Sequence, residues 1–241
     1  MRKNGIIGKM EKGIKIPRHI AIILDGNRRW ARQRGLSPME GHRAGARNLE
    51  QIVDYCQKLG VRYLTVYALS TENWKKRARR EVKAIFDLLV EIARRKKEEY
   101  KRRGIKMMVL GNFQAFPLRV RRVIEEILRI VVRNEVMRFN IALNYGGRDE
   151  IVRAIRKMIE DGVKPGEINE ELVHRYLYTN DCPDPDLVIR TGGEIRLSNF
   201  LLWQLSYSEL YFTDTLWPDF GPKELEKAIL EYHKRERRFG R

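Results

Sequence analysis

Apolar residues recur along this chain with two periods that alternate. Short, mostly apolar runs at residues 20–24, 63–69, 139–143 and 187–189, with another at 106–110, have the length and composition of strands buried on both faces. Between them the spacing changes to three and four. Leu49, Ile52, Val53, Cys56 and Leu59 predict one amphipathic helix, Val120, Val123, Ile124, Ile127, Leu128 and Val131 a second, and Ile151, Val152, Ile155, Met158 and Ile159 a third. Alternating β and α units predict an α/β fold, with a mostly parallel central sheet flanked by helices. The helix starting near Glu81 differs: Val82, Ile85, Phe86, Leu88, Leu89, Val90, Ile92 and Ala93 occupy more than one stripe, so its first half needs apolar cover on two sides. Either it is wedged between the sheet and a neighbour, or one side lines a hydrophobic tunnel. Extended to Arg103 it would be about 34 Å long at 1.5 Å per residue, and its basic latter half is expected in solvent.

Four of the strand-like runs open into polar turns. The first ends in Asp25-Gly26-Asn27-Arg28-Arg29-Trp30, the second in Ser70-Thr71-Glu72-Asn73-Trp74, the third in Asn144-Tyr145-Gly146-Gly147-Arg148 and the fourth in Arg190-Thr191-Gly192-Gly193-Glu194. Ligands of open parallel sheets bind beyond the carboxyl ends of the strands, so these turns are expected to converge. The first is the most specific. Asp25 can hold a hard cation through oxygen, Gly26 lets backbone approach a ligand, and Arg28 and Arg29 offer forked donors matched to phosphate oxygens. An Asp after a strand can also be a plain helix cap, but these neighbours together suit a magnesium-bound diphosphate.

Composition narrows the class. With 241 residues, 43% hydrophobic, and no linker or repeat, the chain suits one α/β domain. Two cysteines make neither a disulfide framework nor a four-ligand zinc site, so a reduced, cytoplasmic protein is expected, without a secretion signal or membrane span. A net charge of +17 calls for an anionic partner. Nucleic acid is disfavoured, because the basic runs lack interleaved aromatics and no nucleic-acid-binding motif occurs. Those runs suit either solvated helix faces or peripheral contact with an anionic membrane surface.

The run HIAIILDGNRRWA, then Gly41-His42-Arg43-Ala44-Gly45, Ser70-Thr71-Glu72-Asn73-Trp74, the NYGGR turn and RTGGEIRLSNFLLWQLSYSELYFTDTLWPDF resemble the cis-prenyltransferases, the family that includes undecaprenyl diphosphate synthase. The resemblance runs from about Ile16 to Gly240 with every motif in family order, which implies one catalytic domain over residues 16–241 behind a basic N-terminal extension, residues 1–15. It implies sequential condensation of isopentenyl diphosphate with an allylic diphosphate, farnesyl or geranylgeranyl, to a long polycis product of the undecaprenyl or decaprenyl class. It implies Asp25 as the residue that helps bind Mg²⁺, with Glu209 as a second carboxylate near the metal and the dimer contact. Gly26, Asn27, Arg28, Arg29, Trp30 and His42 match the allylic diphosphate pocket. Ser70, Thr71, Glu72, Asn73, Arg190, Arg196 and Ser198 match the isopentenyl diphosphate site, with Ser70 and Asn73 positioned to relay its proton and Asn27 beside Asp25. Arg238 and Gly240 match a tail that completes that site across a homodimer, and Thr191-Gly192-Gly193 suggests a backbone anion nest. Trp74, Ala68, Leu69, Ile85, Leu89 and Met137 match the tunnel, with Ala68 near the mouth and Met137 near the closed end.

The chain departs from the family pattern in places: Pro38 stands where an arginine is common and Ile195 where some members have a metal-associated histidine. The alternative reading is a non-catalytic scaffold subunit of a heteromeric enzyme. Such subunits lack parts of the aspartate and phosphate motifs, whereas Asp25, Asn27, Arg29, His42, Arg190 and Arg196 are all present. Trans-prenyltransferases need Asp-Asp-x-x-Asp helices; the nearest run, Asp181-Cys182-Pro183-Asp184-Pro185-Asp186, has prolines that make it a loop.

Overall fold

A computed structural model describes residues 13–76 and 78–235. Its centre is one six-stranded sheet in the order β3-β4-β2-β1-β5-β6, formed by β1 (His19–Ile23), β2 (Tyr63–Ser70), β3 (Ile105–Leu110), β4 (Met137–Tyr145), β5 (Leu187–Arg190) and β6 (Glu209–Phe212). Every pairing is parallel. Both faces are covered, which is why the strands read as continuous apolar runs rather than alternating ones.

Successive side chains still go to opposite faces. On one, Ile20, Ile22, Leu64, Val66, Met137, Phe139, Leu187 and Ile189 pack with α2 (Pro38–Leu59), α4 (Arg79–Arg102), α5 (Leu118–Leu128) and α8 (Pro222–Lys234). On the other, Ala21, Ile23, Tyr67, Ala142 and Val188 meet Phe200, Leu201 and Leu205. The remaining helices are the short α1 (Asn27–Gln33), α3 (Thr71–Lys76) and α7 (Glu170–Tyr176), and α6 (Gly147–Glu160).

Local chemistry fixes where α2 starts and stops. Ser37 and Glu40 form a capping box, Pro38 occupies the first turn where its missing N–H costs nothing, and Gly60 ends the helix in the left-handed region at φ 82°. The third helical pattern behaves differently from expectation. Of its apolar residues, Val152, Ile155 and Ile159 on α6 are exposed, by 71% at Ile159, while Ala154, Met158 and Glu150 are buried. Of the predicted stripe only Met158 is fully buried, and Val152, Ile155 and Ile159 form an outward apolar face.

Candidate active site

The carboxyl ends of β1, β2, β4 and β5 lie side by side, so the four polar turns meet at one rim. Asp25 is at its centre. Its backbone N–H donates to Thr191 Oγ1 at 3.0 Å, and its carbonyl oxygen accepts from the Thr191 hydroxyl at 2.7 Å and from the Trp217 N–H at 3.0 Å. These bonds hold the β1 turn against the β5 turn. The carboxylate, 31% exposed, takes Arg29 Nη2 at 3.2 Å on one oxygen and Arg190 Nη2 at 3.0 Å on the other. Arg190 is nearly enclosed, and its other terminal nitrogen donates to Ser198 Oγ at 2.8 Å and to the Arg196 carbonyl.

Around this pair opens a crevice lined by Asp25, Ser70, Glu72, Asn73, Arg190, Arg196 and Ser198, with Tyr67, Ala68 and Asn199. The Ser70 hydroxyl accepts from the Asn73 N–H at 3.0 Å, setting both residues at the start of α3. Burial pushes the Glu72 carboxyl up, but hydrogen bonds from its own backbone, Asn199 and Ser70, with the charge of Lys76, outweigh it and hold the group below its ordinary value. Glu72 is thus a carboxylate facing arginines. Ser198 and Asn199 sit in the left-handed region at φ 50° and 66°, a strained conformation for residues with side chains. It is held by the Arg190 bond to Ser198 and by Asn199 bonds to Glu72 (3.1 Å), the Arg148 N–H (2.9 Å) and the Gly147 N–H (2.7 Å). Sequence reading missed Asn199 and Tyr67; Asn199 lies in the quoted motif, but nothing in its type distinguishes it from a loop asparagine.

Ala68 is where two cavities meet. Between Tyr67 and Leu69 the pairing of β2 with β4 slips by one residue, a bulge that turns Ala68 outward. Ala68 lines the polar crevice and also an apolar cavity formed by Leu49, Leu89, Ile92, Met107, Phe139, Ile141 and Leu143 among others. The half-buried Leu89 is therefore a wall of the cavity, which answers the two-sided apolar pattern of α4. Met137 is fully buried one strand repeat beyond Phe139 on the same face, past the lining residues. Leu69 is buried in the core in register with Leu143, Ile85 is half-buried on α4 outside both linings, and Trp74 packs on Phe86 and Phe116 at ring-centroid distances of 5.4 and 5.2 Å.

Other expected contacts fall elsewhere. Trp30 does not face the crevice: its indole N–H donates to Asp219 at 2.7 Å and the Arg34 guanidinium stacks on its ring at 4.3 Å. Arg28 is exposed and, with Arg29 and Arg32, rims a separate depression that includes Pro38. His42 Nε2 is 3.3 Å from Glu81, tying α2 to α4. Thr71 is half-buried beside Gly146, with its hydroxyl outside the crevice lining. Gly26 is buried at φ 117°, a conformation only glycine adopts easily, and Asn27 Oδ1 is buried against Gly45 without a hydrogen-bond partner among the described residues. The Gly192 and Gly193 N–H groups already donate to the carbonyls of Thr215 (2.9 Å) and Thr213 (2.8 Å), so they form no open anion nest.

Glu209 requires a correction. It opens β6 in register with Leu187 and, through it, Ile20, so it lies at the amino ends of the strands, opposite Asp25. There it binds Arg235 at 3.0 Å. Within one chain it cannot share a metal with Asp25. Among the described residues no group of three or more His, Cys, Asp or Glu side chains converges. Magnesium needs none, because it commonly takes one or two carboxylates and fills its octahedron with waters and substrate phosphates. Asp25, part-exposed at the arginine-lined crevice, fits that role with water and substrate oxygens completing the shell. Arg238 and Gly240 lie outside the described residues.

A crevice of arginines and small polar groups that opens onto an apolar cavity at the ends of a parallel sheet defines an enzyme handling an anionic head with a hydrocarbon tail. The chain belongs to the undecaprenyl diphosphate synthase family of cis-prenyltransferases, whose model matches residues 23–240. It is a prenyl-transferring enzyme. It is 49% identical over 230 residues to an isoprenyl transferase of Heliobacterium mobile, covering 94% of this chain and 88% of that protein. It is 47% identical over 245 residues to the tritrans,polycis-undecaprenyl-diphosphate synthase (geranylgeranyl-diphosphate specific) of Pyrococcus furiosus, covering 98% and 91%. Lavandulyl diphosphate synthase from Lavandula x intermedia, solved in complex with dimethylallyl diphosphate, superposes with a TM-score of 0.89 at 38% identity, over 94% of this chain and 99% of that one.

Proposed function

We propose that the enzyme elongates an allylic starter, farnesyl or geranylgeranyl diphosphate, with successive isopentenyl diphosphate units, in a Mg²⁺-dependent reaction, to a product of the undecaprenyl or decaprenyl class. The observation that carries this reading is Ala68, the residue common to the arginine-lined crevice and the apolar cavity. A diphosphate held on the crevice side would place its chain in the cavity. In each cycle the allylic C1–O bond breaks, C1 bonds to the terminal carbon of isopentenyl diphosphate, and a proton leaves that substrate's C2 as the new cis double bond forms.

The chain's own groups would divide this work. Asp25 would hold the metal, which when bound neutralises charge on the departing diphosphate. Arg29 holds the Asp25 side of the crevice, while Arg196 and Ser198, positioned by the buried Arg190, would hold the isopentenyl diphosphate. Ser70, Asn73 and Glu72 line the same crevice and would lie between the two heads, where Ser70 and Asn73 would orient the alkene and pass its proton to the leaving diphosphate.

We also infer a homodimer with peripheral membrane contact. The outward apolar face of α6, with exposed Leu202 and Tyr207, supports a second copy of the chain, and the net charge of +17 supports attraction to anionic headgroups. Among the described residues no helix is long and apolar enough to cross a membrane. Incubation with labelled isopentenyl diphosphate, each starter, and Mg²⁺ or excess chelator tests the reading. Long products from the preferred starter, abolished by chelator, are expected; no condensation with any allylic starter would leave the scaffold-subunit alternative standing.

A further inference from the structure

Another face of α4 forms a groove with α3 and the first turn of α5. Its floor is apolar, made by Trp74, Val82, Phe86, Pro117 and Val120, and its rim carries Lys75, Arg79, Lys83 and Arg119, all exposed. The one carboxylate in the lining, Asp87, is shared by Lys83 at 2.9 Å and Arg119 at 3.2 Å. Four cations against one anion leave the rim strongly positive, and among the described residues Lys75 and Arg79 bind no carboxylate. No side chain caps the N-terminus of α5, so the positive end of that helix adds to the field. Leu118, 52% exposed, stands beside Pro117. The groove borders the reaction crevice across α3, where Glu72 and Asn73 line the crevice and the next two residues, Trp74 and Lys75, line the groove.

We propose that this groove seats an anionic phospholipid and is the surface by which the enzyme docks on a bilayer. This rests on the reading that the enzyme works in peripheral contact with a membrane, and it says where that contact is made. The lipid phosphate lies among the rim cations and its hydrocarbon against the floor, with Leu118 entering the same apolar layer. Both halves of the groove are needed to choose this occupant: a neutral lipid leaves the cations unanswered, and a wholly ionic partner leaves the apolar floor uncovered. The net charge of +17 draws the protein to an anionic surface from any side, whereas the groove fixes which side arrives. Docked this way, the crevice is one helix away from lipid, and a long-chain product has a short path out of water.

The test is co-sedimentation with phosphatidylcholine vesicles, with and without phosphatidylglycerol, of wild type, Arg79→Gln/Lys83→Gln and Lys101→Gln/Arg133→Gln. Lys101 and Arg133 rim an exposed depression beside Gly104 at the amino ends of β3 and β4, so the second variant removes the same charge far from the groove. Wild type should bind only the anionic vesicles. The groove variant should bind them about 25-fold more weakly, at roughly fivefold for each basic residue near the surface, while the control keeps the wild-type affinity. Brominated phosphatidylglycerol reads the floor directly, because of the chain's four tryptophans only Trp74 lines the groove. It should quench part of the wild-type fluorescence, and that part should be missing in Trp74→Phe. Equal weakening of both double variants would overturn the proposal by assigning the binding to net charge alone, as would quenching that persists in Trp74→Phe. Binding of monomeric decyl phosphate without binding of vesicles would assign the groove to a free amphiphile and overturn it as well. A wild type that binds no anionic vesicle would sink membrane contact itself, whereas vesicle binding that the groove variant retains in full would sink the groove alone.

Discussion

Arg190 Nη2 lies 3.0 Å from Asp25 Oδ2, and the arginine is buried while the aspartate is part-exposed. The pair therefore ties the β1 turn to β5 as well as standing at the proposed reaction site. Replacing Asp25 by Ala should remove metal and phosphate organisation at the developing charge, a loss of about 2.7–4 kcal/mol in transition-state stabilisation. It should also leave a guanidinium short of its counter-ion, lowering stability by about 1–3 kcal/mol. Asp25→Asn keeps an acceptor for Arg190 and should recover stability without recovering activity. Urea unfolding and Mg²⁺-dependent turnover of the two variants separate these effects; an Asn variant with wild-type turnover would remove Asp25 from the chemistry.

The Gly-His-Arg-Ala-Gly motif has a steric explanation. A Cβ at Gly41 would overlap the Asn27 carbonyl oxygen, and one at Gly45 would overlap the Asn27 side chain and crowd Trp217. The two glycines, one turn apart on α2, let the start of α1 sit directly on that helix. Gly41→Ala should push α1 away, costing about 1–3 kcal/mol of stability, and should weaken turnover by moving Asn27 and Arg29. Gly166→Ala, where the added methyl meets nothing within 4 Å, is the matched control. Equal melting temperatures for the two variants would contradict the packing argument.

The strands and their terminal turns were legible because both sheet faces are covered, so apolar runs stop only where the chain leaves the core. Asp25, Ser70, Asn73, Arg190 and Arg196 accordingly meet where strand ends predict. What escaped the sequence depends on register or on distant partners. Nothing in the local run around Glu209 says that β6 starts level with Ile20, at the far end of the sheet. The carbonyls that occupy the Gly192 and Gly193 N–H groups come from residues some twenty positions onward, and Trp30 is claimed by Asp219. Lys96 reads as part of a solvated basic run, although it lines an apolar cavity and its ammonium is bound between Glu50 and Glu99. Val152, Ile155 and Ile159 have helical spacing whether the face they form meets the core or a partner.

His19 gives the fold a pH dependence. It is fully buried at the start of β1, its Nδ1–H donates to the Pro183 carbonyl at 2.7 Å, and its Nε2 accepts from the Thr65 hydroxyl at 2.7 Å. Burial lowers its pKa to about 4, against smaller raising effects from Pro183 and Asp186. The unfolded chain takes up a proton near 6.5 that the folded chain refuses until about 4, so stability is full above 6.5 and falls as pH drops between these values. The shift corresponds to about 3 kcal/mol at most. Urea midpoints from pH 7.5 to 4.5 should fall more steeply for wild type than for His19→Gln, and parallel curves would show that His19 does not carry the dependence.

Ala68, at the bulge of β2, sets the passage from the polar crevice to the apolar cavity. Each five-carbon unit that enters is favoured by about 4 kcal/mol, at roughly 0.8 per carbon, so growth continues until side chains block it, and the same burial slows release. A leucine at position 68 should narrow the passage, shorten the products and spare the first condensation more than later ones. Met137→Ala acts from the other end: it empties space beyond Phe139 and should lengthen products, at a stability cost of about 2–5 kcal/mol for a buried methionine. Mild detergent should raise turnover of wild type by accepting the released lipid, and raise it less for Ala68→Leu, whose shorter products leave faster. Thin-layer chromatography of the dephosphorylated products reads all three effects. Identical length distributions for wild type, Ala68→Leu and Met137→Ala would mean that neither residue limits the chain.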